Sequence, residues 1–163
     1  MQVLLDQIRA IANAGLYYAA LFPALALPDI CGALEALDGI ATGPRYADWF
    51  DHNLGAQYTG FLTGKDCYLF RCSLLHQGRA RPRGGNYSRI LFLEPGPVFM
   101  HKVVINDALN IDVKTFCNDM TAAVEAWLPQ ATSKPHFAGN LAQFVTRYPH
   151  GLPPYILGVP VVA

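Results

Sequence analysis

The chain has 163 residues, of which 52% are hydrophobic and 15% are charged, and its formal net charge is zero. This length predicts one domain, residues 1–163, that can bury a core without disulfides or metals. The high hydrophobic content predicts a further covered surface, most simply in a homodimer. Pro23 interrupts the richest apolar stretch, and a membrane-spanning helix needs roughly 18 apolar residues. We therefore expect no membrane span and predict a cytoplasmic protein.

Three helices are predicted before residue 40. Apolar residues at helical spacing define the first helix, from Gln2 to Asn13. The second begins near Leu16 and is apolar on nearly every side, which is typical of the centre of a bundle. Pro28 suits the first turn of a third helix that ends at Asp38-Gly39. Asp29 follows Pro28 in this apolar region, where an isolated carboxylate requires a cation or backbone N–H groups.

Two further helices are predicted between residues 45 and 78. Aromatic residues share one face of the segment from Arg45 to Asn53, which predicts a helix after a turn at 41–44. The stretch Thr63-Gly64-Lys65-Asp66 has the form of a capping box and predicts the start of the next helix. Gly78 is expected to end this helix. Arg71 and His76 lie in its last two turns.

A loop and two strands are predicted next. The segment from Arg79 to Asn86 contains a proline, two glycines and three arginines, which is typical of an exposed loop. Runs of β-branched and aromatic residues, Ser88 to Leu93 and Val98 to Ile105, flank the turn signal Glu94-Pro95-Gly96-Pro97. We expect them to form a β-hairpin near residues 88–105 that lies on the helices. Asn106 to Asn110 is predicted to be a polar connection.

The C-terminal third is predicted to be mostly helical. One helix is expected from Val113 to Pro129 and another from Pro135 to Arg147. The tail from Leu152 to Ala163 contains three prolines, and we expect it to be an extended arm or partly disordered. The predicted fold is therefore mainly α, a helical bundle with an inserted β-hairpin.

The cysteine and histidine spacings indicate no metal site. No Cys-x-x-Cys pair occurs, and the histidines are dispersed along the chain. We therefore expect neither a metal nor a cofactor. The four cysteines lie in apolar helical patterns and are predicted to be buried, reduced thiols: Cys31, Cys67, Cys72 and Cys117.

One segment of this neutral chain is strongly basic. No acid occurs from Cys67 to Leu93, whereas five arginines do. Because a polyanion responds to the local potential and not to the net charge, this segment can attract RNA. A merely soluble loop is the competing interpretation. The predicted nucleic-acid-binding residues are Arg79, Arg81, Arg83 and Arg89.

Arg71 and His76 are the residues best suited to chemistry. Arginine can stabilise charge on phosphate oxygens, and histidine can transfer a proton. Positions five apart lie roughly 140° apart around a regular helix. We therefore expect the two side chains to converge only if the last turn loosens near Gly78, or if two copies of the helix meet.

The stretch Arg71-Cys72-Ser73-Leu74-Leu75-His76 resembles the motif of the HEPN superfamily, an arginine and a histidine separated by four to six residues. The resemblance implies an all-helical domain that cleaves RNA without a metal or cofactor, often as a toxin or in defence. It also implies an active site assembled by two protomers. On this hypothesis Arg71 holds the scissile phosphate and His76 acts on the 2′-hydroxyl or the leaving oxygen. Asp29, or another acid of the early helices, would orient Arg71, with Ser73 in support.

Two alternatives to an enzyme stay open. Active HEPN proteins usually carry a polar residue after the arginine, and Cys72 stands there instead. This favours a non-catalytic module that recognises a nucleotide or RNA, or that pairs with a nucleotidyltransferase-type antitoxin. The second alternative is a structural dimer in which Arg71 forms a buried ion pair with an acid of the early helices. The candidate partners are Asp29, Asp48 and Asp51.

Overall fold

The computed structural model describes residues 1–82 and 84–163, and about half of the chain is helical. These residues form the helices α1 (Gln2–Asn13), α2 (Tyr17–Glu35), α3 (Gly43–Asn53), α4 (Gly64–Gln77), α5 (Val113–Ala131) and α6 (Phe137–Leu141). The strands are β1 (Arg89–Leu93), β2 (Val103–Ile105), β3 (Ala108–Asp112), β4 (Arg147–Tyr148), β5 (Gly151–Leu152), β6 (Ile156–Leu157) and β7 (Val161–Val162). The predicted mainly α class and the bounds of α1 are confirmed.

Helix α2 lies at the centre of the core, where it packs against α1, α3, α4, α5 and α6. It runs unbroken from Tyr17 to Glu35, so the prediction of two helices divided at Pro28 is wrong. A proline inside a helix removes a backbone hydrogen bond and costs about 3 kcal/mol. Fully buried side chains on both sides of Pro28, including Leu25, Leu27 and Cys31, offset that cost.

The continuity of α2 also changes the expectation about membrane spans. With 19 residues and a mean hydropathy of 1.4, α2 is long and apolar enough to cross a bilayer by length and composition. The expectation that no such helix exists is therefore wrong, because Pro28 does not end the helix. However, 56% of the apolar window of α2 is buried inside the protein. This burial is consistent with the core helix of a soluble protein.

Helices α3 and α4 begin at side-chain caps. Thr42 Oγ1 accepts a hydrogen bond from the Arg45 backbone N–H at 3.3 Å, so α3 begins at Gly43, earlier than predicted. The predicted capping box of α4 is confirmed: Thr63 Oγ1 accepts from the Asp66 N–H at 3.1 Å, and the Asp66 carboxylate accepts from the Thr63 N–H. Gly78 ends α4 as predicted, in the left-handed conformation with φ of 62°.

Helices α3 and α4 approach each other closely where α4 begins. The Gly64 N–H donates to Asp51 Oδ1 at 2.6 Å. A Cβ atom at position 64 would overlap the carbonyl oxygen of Ala47 in α3. Position 64 therefore requires glycine, and Asp51 holds the N-terminus of α4 instead of pairing with Arg71.

The predicted β-hairpin near residues 88–105 is wrong. Strand β3 lies between β1 and β2, parallel to β1 and antiparallel to β2. Asn106 and Asp107, predicted to lie in a polar connection, have φ of 50° and 61° and form the tight turn from β2 to β3. Both residue types tolerate this left-handed conformation. Leu109 and Ile111 of β3 are fully buried, which suits the central position of this strand in the sheet.

The C-terminal third is less helical than predicted. Helix α5 continues past Pro129 to Ala131, and α6 covers only Phe137–Leu141 of the predicted helix from Pro135 to Arg147. Thr146 exchanges two backbone hydrogen bonds with Ala163, which draws the segment after α6 into extended structure. The tail forms two small antiparallel pairs, β4 with β7 and β5 with β6. It is therefore folded on itself and is not one extended arm.

Three of the four cysteines are buried free thiols, as predicted: Cys31, Cys67 and Cys117. Burial raises the pKa of Cys67 and of Cys117 to about 12, which keeps both thiols protonated near neutral pH. The prediction of burial is wrong for Cys72, which is only half-buried. Its sulfur lies beside the side chain of Arg71 and not in the core.

Asn140 of α6 caps the C-terminus of α2. Its Nδ2 lies 3.2, 3.1 and 2.8 Å from three carbonyl oxygens, those of Ala33, Leu34 and Ala36. We expect Asn140→Ala to lower the free energy of unfolding by about 1 to 2 kcal/mol, because these carbonyls lose their side-chain donor. Urea denaturation measures this change. The exposed neighbour Gln143 provides the matched control, and an equal loss in Gln143→Ala would contradict the capping role.

Candidate functional site

Helix α4 brings Arg71 and His76 together inside one protomer. The helix stays regular to Gln77, and Arg71 Nη1 lies 2.9 Å from His76 Nε2. The expectation that the pair needs a loosened last turn or a second copy is therefore wrong. The side chain of arginine is long enough to reach across the helix surface that separates the two positions.

Asp29 of α2 extends this contact into a row of three side chains. Asp29 Oδ2 lies 2.5 Å from Arg71 Nη2, and both side chains are mostly buried, with 11% and 18% of their surface exposed. Of the three candidate acids, Asp29 is the one that pairs with Arg71. The other two candidate partners lie on α3, where Asp51 binds Gly64 and Asp48 is exposed. We call Asp29, Arg71 and His76 the charged row.

Burial shapes the electrostatics of the charged row. Within the described residues, Asp29 Oδ2 and Arg71 Nε have no partner in hydrogen-bonding geometry, so the Asp29–Arg71 contact is primarily ionic. Burial raises the pKa of Asp29 by more than the positive charge of Arg71 lowers it. Burial also opposes the charge of Arg71, but Asp29 and Cys72 together outweigh it and raise the pKa of Arg71.

The contact between Arg71 and His76 assigns a role to each ring nitrogen. A guanidinium group has only donors, so His76 Nε2 must accept the hydrogen bond. The proton of the neutral imidazole is then on Nδ1. His76 is exposed, whereas the side chain of Arg71 is mostly buried. The charged row thus presents a fixed cation and, on its solvent side, a group that can transfer a proton.

Two other residues of α4 bear on this site. Tyr68, which the sequence did not single out, contacts Cys72, and this contact together with burial raises the pKa of Tyr68. Its position one turn before Cys72 is the signal that could have identified it. Ser73, predicted to support the site, is buried, and its carbonyl accepts the Arg79 N–H at 2.9 Å. Among the described contacts, its hydroxyl makes none with the charged row.

The basic loop that follows α4 is anchored near both ends of that helix. It begins beyond Gly78 at the C-terminal end, and Asn86 is bound at the N-terminal end, where its backbone N and its Nδ2 each donate to Asp66 at 2.8 Å. Of the predicted nucleic-acid-binding residues, Arg79 directly follows Gly78 and Arg89 begins β1, so these two lie on different elements. Arg79, Arg81 and Arg89 are exposed, and Arg83 lies outside the described residues.

His101 belongs to a cluster that no spacing in the sequence indicates, because its members are far apart in the chain. Tyr58 donates from its hydroxyl to Asp119 Oδ2 at 2.8 Å, and His101 Nε2 lies 4.0 Å from the same oxygen. Burial and then the charge of Lys102 lower the pKa of His101. Residues 1–82 and 84–163 contain no group of three or more His, Cys, Asp or Glu side chains that could hold a metal ion.

The charged row is the arrangement whose parts best suit a reaction. A fixed guanidinium stabilises negative charge, and an adjacent imidazole moves protons, which together suit chemistry at phosphate esters. No protein-family model matches the chain, and no curated protein or solved structure shows significant similarity to it.

Proposed function

We propose that this chain is a HEPN-like, metal-independent endoribonuclease of the toxin or defence class, with its active site at the charged row. The observation that carries the proposal is the 2.9 Å contact between Arg71 Nη1 and His76 Nε2. It supports the proposal because both groups of the motif are available in the same protomer. A mainly α fold with the motif at the end of a core helix supports the HEPN-like bundle.

In the proposed reaction, Asp29 holds the guanidinium of Arg71, whose other N–H groups bind the scissile phosphate. Binding of the phosphate to Nη1 releases His76 Nε2, which takes the proton of the ribose 2′-hydroxyl. The 2′-oxygen attacks phosphorus, and the bond to the 5′-oxygen breaks. The histidine of a second copy donates a proton to the leaving oxygen. The products are a 2′,3′-cyclic phosphate and a 5′-hydroxyl.

The expected test result is RNA cleavage by the wild type in the presence of a chelator. His76→Ala should lower the rate by about a hundredfold or more, because a positioned proton-transfer group contributes at least that much. Cleavage of a fluorescently labelled single-stranded RNA measures the rate. His76 is exposed, so the variant is expected to fold.

Arg79→Ala is the matched control, since Arg79 is an exposed cation three positions after His76. It should weaken RNA binding but leave the rate at saturating RNA nearly unchanged. Equal cleavage by the wild type and His76→Ala would rule out the proposed enzyme.

The proposal includes a homodimer. Several large apolar side chains are strongly exposed, among them Tyr18 at 67%, Leu37 at 76%, Phe99 at 70% and Tyr155 at 84%. A homodimer interface would cover side chains of this kind. We expect light scattering after size-exclusion chromatography to give the mass of two chains at micromolar concentration. A single-chain mass at every concentration tested would contradict the dimer.

A non-catalytic module is the second candidate, and the Arg71–His76 bond favours it. The lone pair of His76 Nε2 is already used by Arg71, so the free chain has no base at that nitrogen. Such a module would recognise a nucleotide or RNA, or pair with a nucleotidyltransferase-type antitoxin. RNA binding that survives His76→Ala, with no cleavage by the wild type, would distinguish it from the enzyme.

A further inference from the structure

A cleft between α2, α3 and α5 shares no residue with the charged row. Its volume is about 470 Å³, which lies within the range of roughly 300 to 1,000 Å³ found for small-molecule sites. Charged and aromatic side chains line it side by side. Those used below are Glu35, Arg45, Asp48, Trp49, Trp127 and Lys134.

Two indole rings supply the apolar part of this cleft. Trp49 and Trp127 meet edge to face with their ring centroids 5.9 Å apart, and each is 4% exposed. Trp127 Nε1 donates to Glu35 Oε1 at 3.0 Å, which fixes the carboxylate of Glu35 against the ring. Tryptophan attracts cations through its π-system more strongly than any other side chain.

The charges that line the cleft favour a cation. Glu35 and Asp48 bring two carboxylates from two different helices, and the exposed Asp48 has no ionic or hydrogen-bonding partner within residues 1–82 and 84–163. The positive charge of Arg45 is balanced, since its Nη1 lies 2.6 Å from Asp38 Oδ1. Helix α2 also ends here at Glu35, and the C-terminal end of a helix carries partial negative charge.

Lys134 adds a positive charge that opposes the binding of a cation in this cleft. Lys134, which follows α5, also lines the cleft and has no ionic partner among the described residues. A ligand with one positive charge is attracted by Glu35 and Asp48 and repelled by Lys134, so two attractions stand against one repulsion. The indoles then receive the apolar part of the ligand.

We propose that this cleft binds a small organic cation, a primary amine with an apolar chain. Its ammonium group interacts with the carboxylates of Glu35 and Asp48, and its apolar chain contacts Trp49 and Trp127. The binding site is independent of RNA cleavage, because it uses none of the residues of the charged row.

Three compounds with one carbon skeleton test the charge preference: isopentylamine, the zwitterion L-leucine and the anion 4-methylpentanoate. Trp49 and Trp127 are the two tryptophans of the chain, so intrinsic tryptophan fluorescence reports on this cleft directly. We expect isopentylamine to change the fluorescence saturably at millimolar concentration, L-leucine to bind more weakly and 4-methylpentanoate to have no effect. No saturable response to the amine, or an equal response to all three compounds, would overturn the proposal.

Substitutions that remove a charge with little change in size are expected to change the affinity for the amine in opposite directions. Asp48→Asn and Glu35→Gln should each weaken amine binding by roughly threefold to tenfold, the effect of losing one partly exposed charge. Lys134→Gln should strengthen it, because a like charge is removed. Asp6→Asn, which alters an exposed acid on α1, is the matched control and should leave the affinity unchanged. Unchanged affinity in both Asp48→Asn and Lys134→Gln would refute the site.

Discussion

Arg71→Ala is expected to destabilise the protein by about 3 kcal/mol, near the lower end for breaking a buried ion pair, because Arg71 keeps some exposure. The substitution leaves the carboxylate of Asp29 mostly buried without its cation. Urea denaturation at neutral pH measures the loss. The destabilisation should be larger than that of Arg79→Ala, which removes an exposed arginine.

The pH dependence of this loss follows from Asp29. Burial already raises its pKa in the wild type, and removal of Arg71 must raise it further, since the guanidinium is what lowers it. A carboxyl group whose pKa is raised by folding binds more protons in the folded state, so stability increases as pH falls through the folded-state pKa. We therefore expect the deficit of Arg71→Ala to shrink at mildly acidic pH. A deficit that is constant with pH would contradict this origin.

The double variant Asp29→Asn/Arg71→Ala separates structure from function at the same site. It removes both charges, so much of the stability lost in Arg71→Ala should return. RNA cleavage should be absent from this variant, because the guanidinium group that binds the scissile phosphate is missing. Cleavage by this folded double variant would show that Arg71 has only a structural role.

Asp66→Ala is expected to cost about 3 kcal/mol or more, the sum of a lost helix cap and an unsatisfied loop anchor. Asp66 is 2% exposed and accepts four hydrogen bonds, from the backbone and hydroxyl of Thr63 and from the backbone and side chain of Asn86. One carboxylate thus begins α4 and ends the basic loop. Thermal and urea denaturation measure the loss of stability.

Two single substitutions divide the roles of Asp66. Thr63→Ala removes the cap hydroxyl and should cost about 1 kcal/mol. Asn86→Ala removes one of the two loop contacts and should mainly weaken RNA binding, because the loop that carries Arg79 and Arg81 loses part of its anchor at Asp66. If Asn86→Ala bound RNA as tightly as the wild type, the anchoring of the loop would have no part in recognition.

Local chemistry made both ends of α4 predictable. Thr63 and Asp66 satisfy free N–H groups at the start of α4, and Gly78 adopts the left-handed conformation at its end. These three residues therefore determine both boundaries of the helix. Asp29 was predictable as one of three candidate partners of Arg71, because an acid within an apolar segment requires a cation.

Interactions between distant segments were not predictable in the same way. Pro28 predicts a helix boundary, but packing on five neighbouring helices overrides it. Strand β3 was not predicted, because the polar residues Asn106 and Asp107 suggested an irregular connection. Both residues tolerate positive φ, and they form the hairpin turn from β2 to β3. The Arg71–His76 contact depends on the reach of a side chain, which a count of degrees around a helix leaves out.

The contact between Gly64 and Ala47 has a consequence for the far end of α4. Because a helix is stiff along its axis, any side chain at position 64 would move all of α4 away from α3. Arg71 lies two turns further along α4, so it would move away from Asp29, which lies in α2. A residue with no chemistry of its own therefore sets the alignment of the two charges, and a methyl group there would act at a distance of about 10 Å.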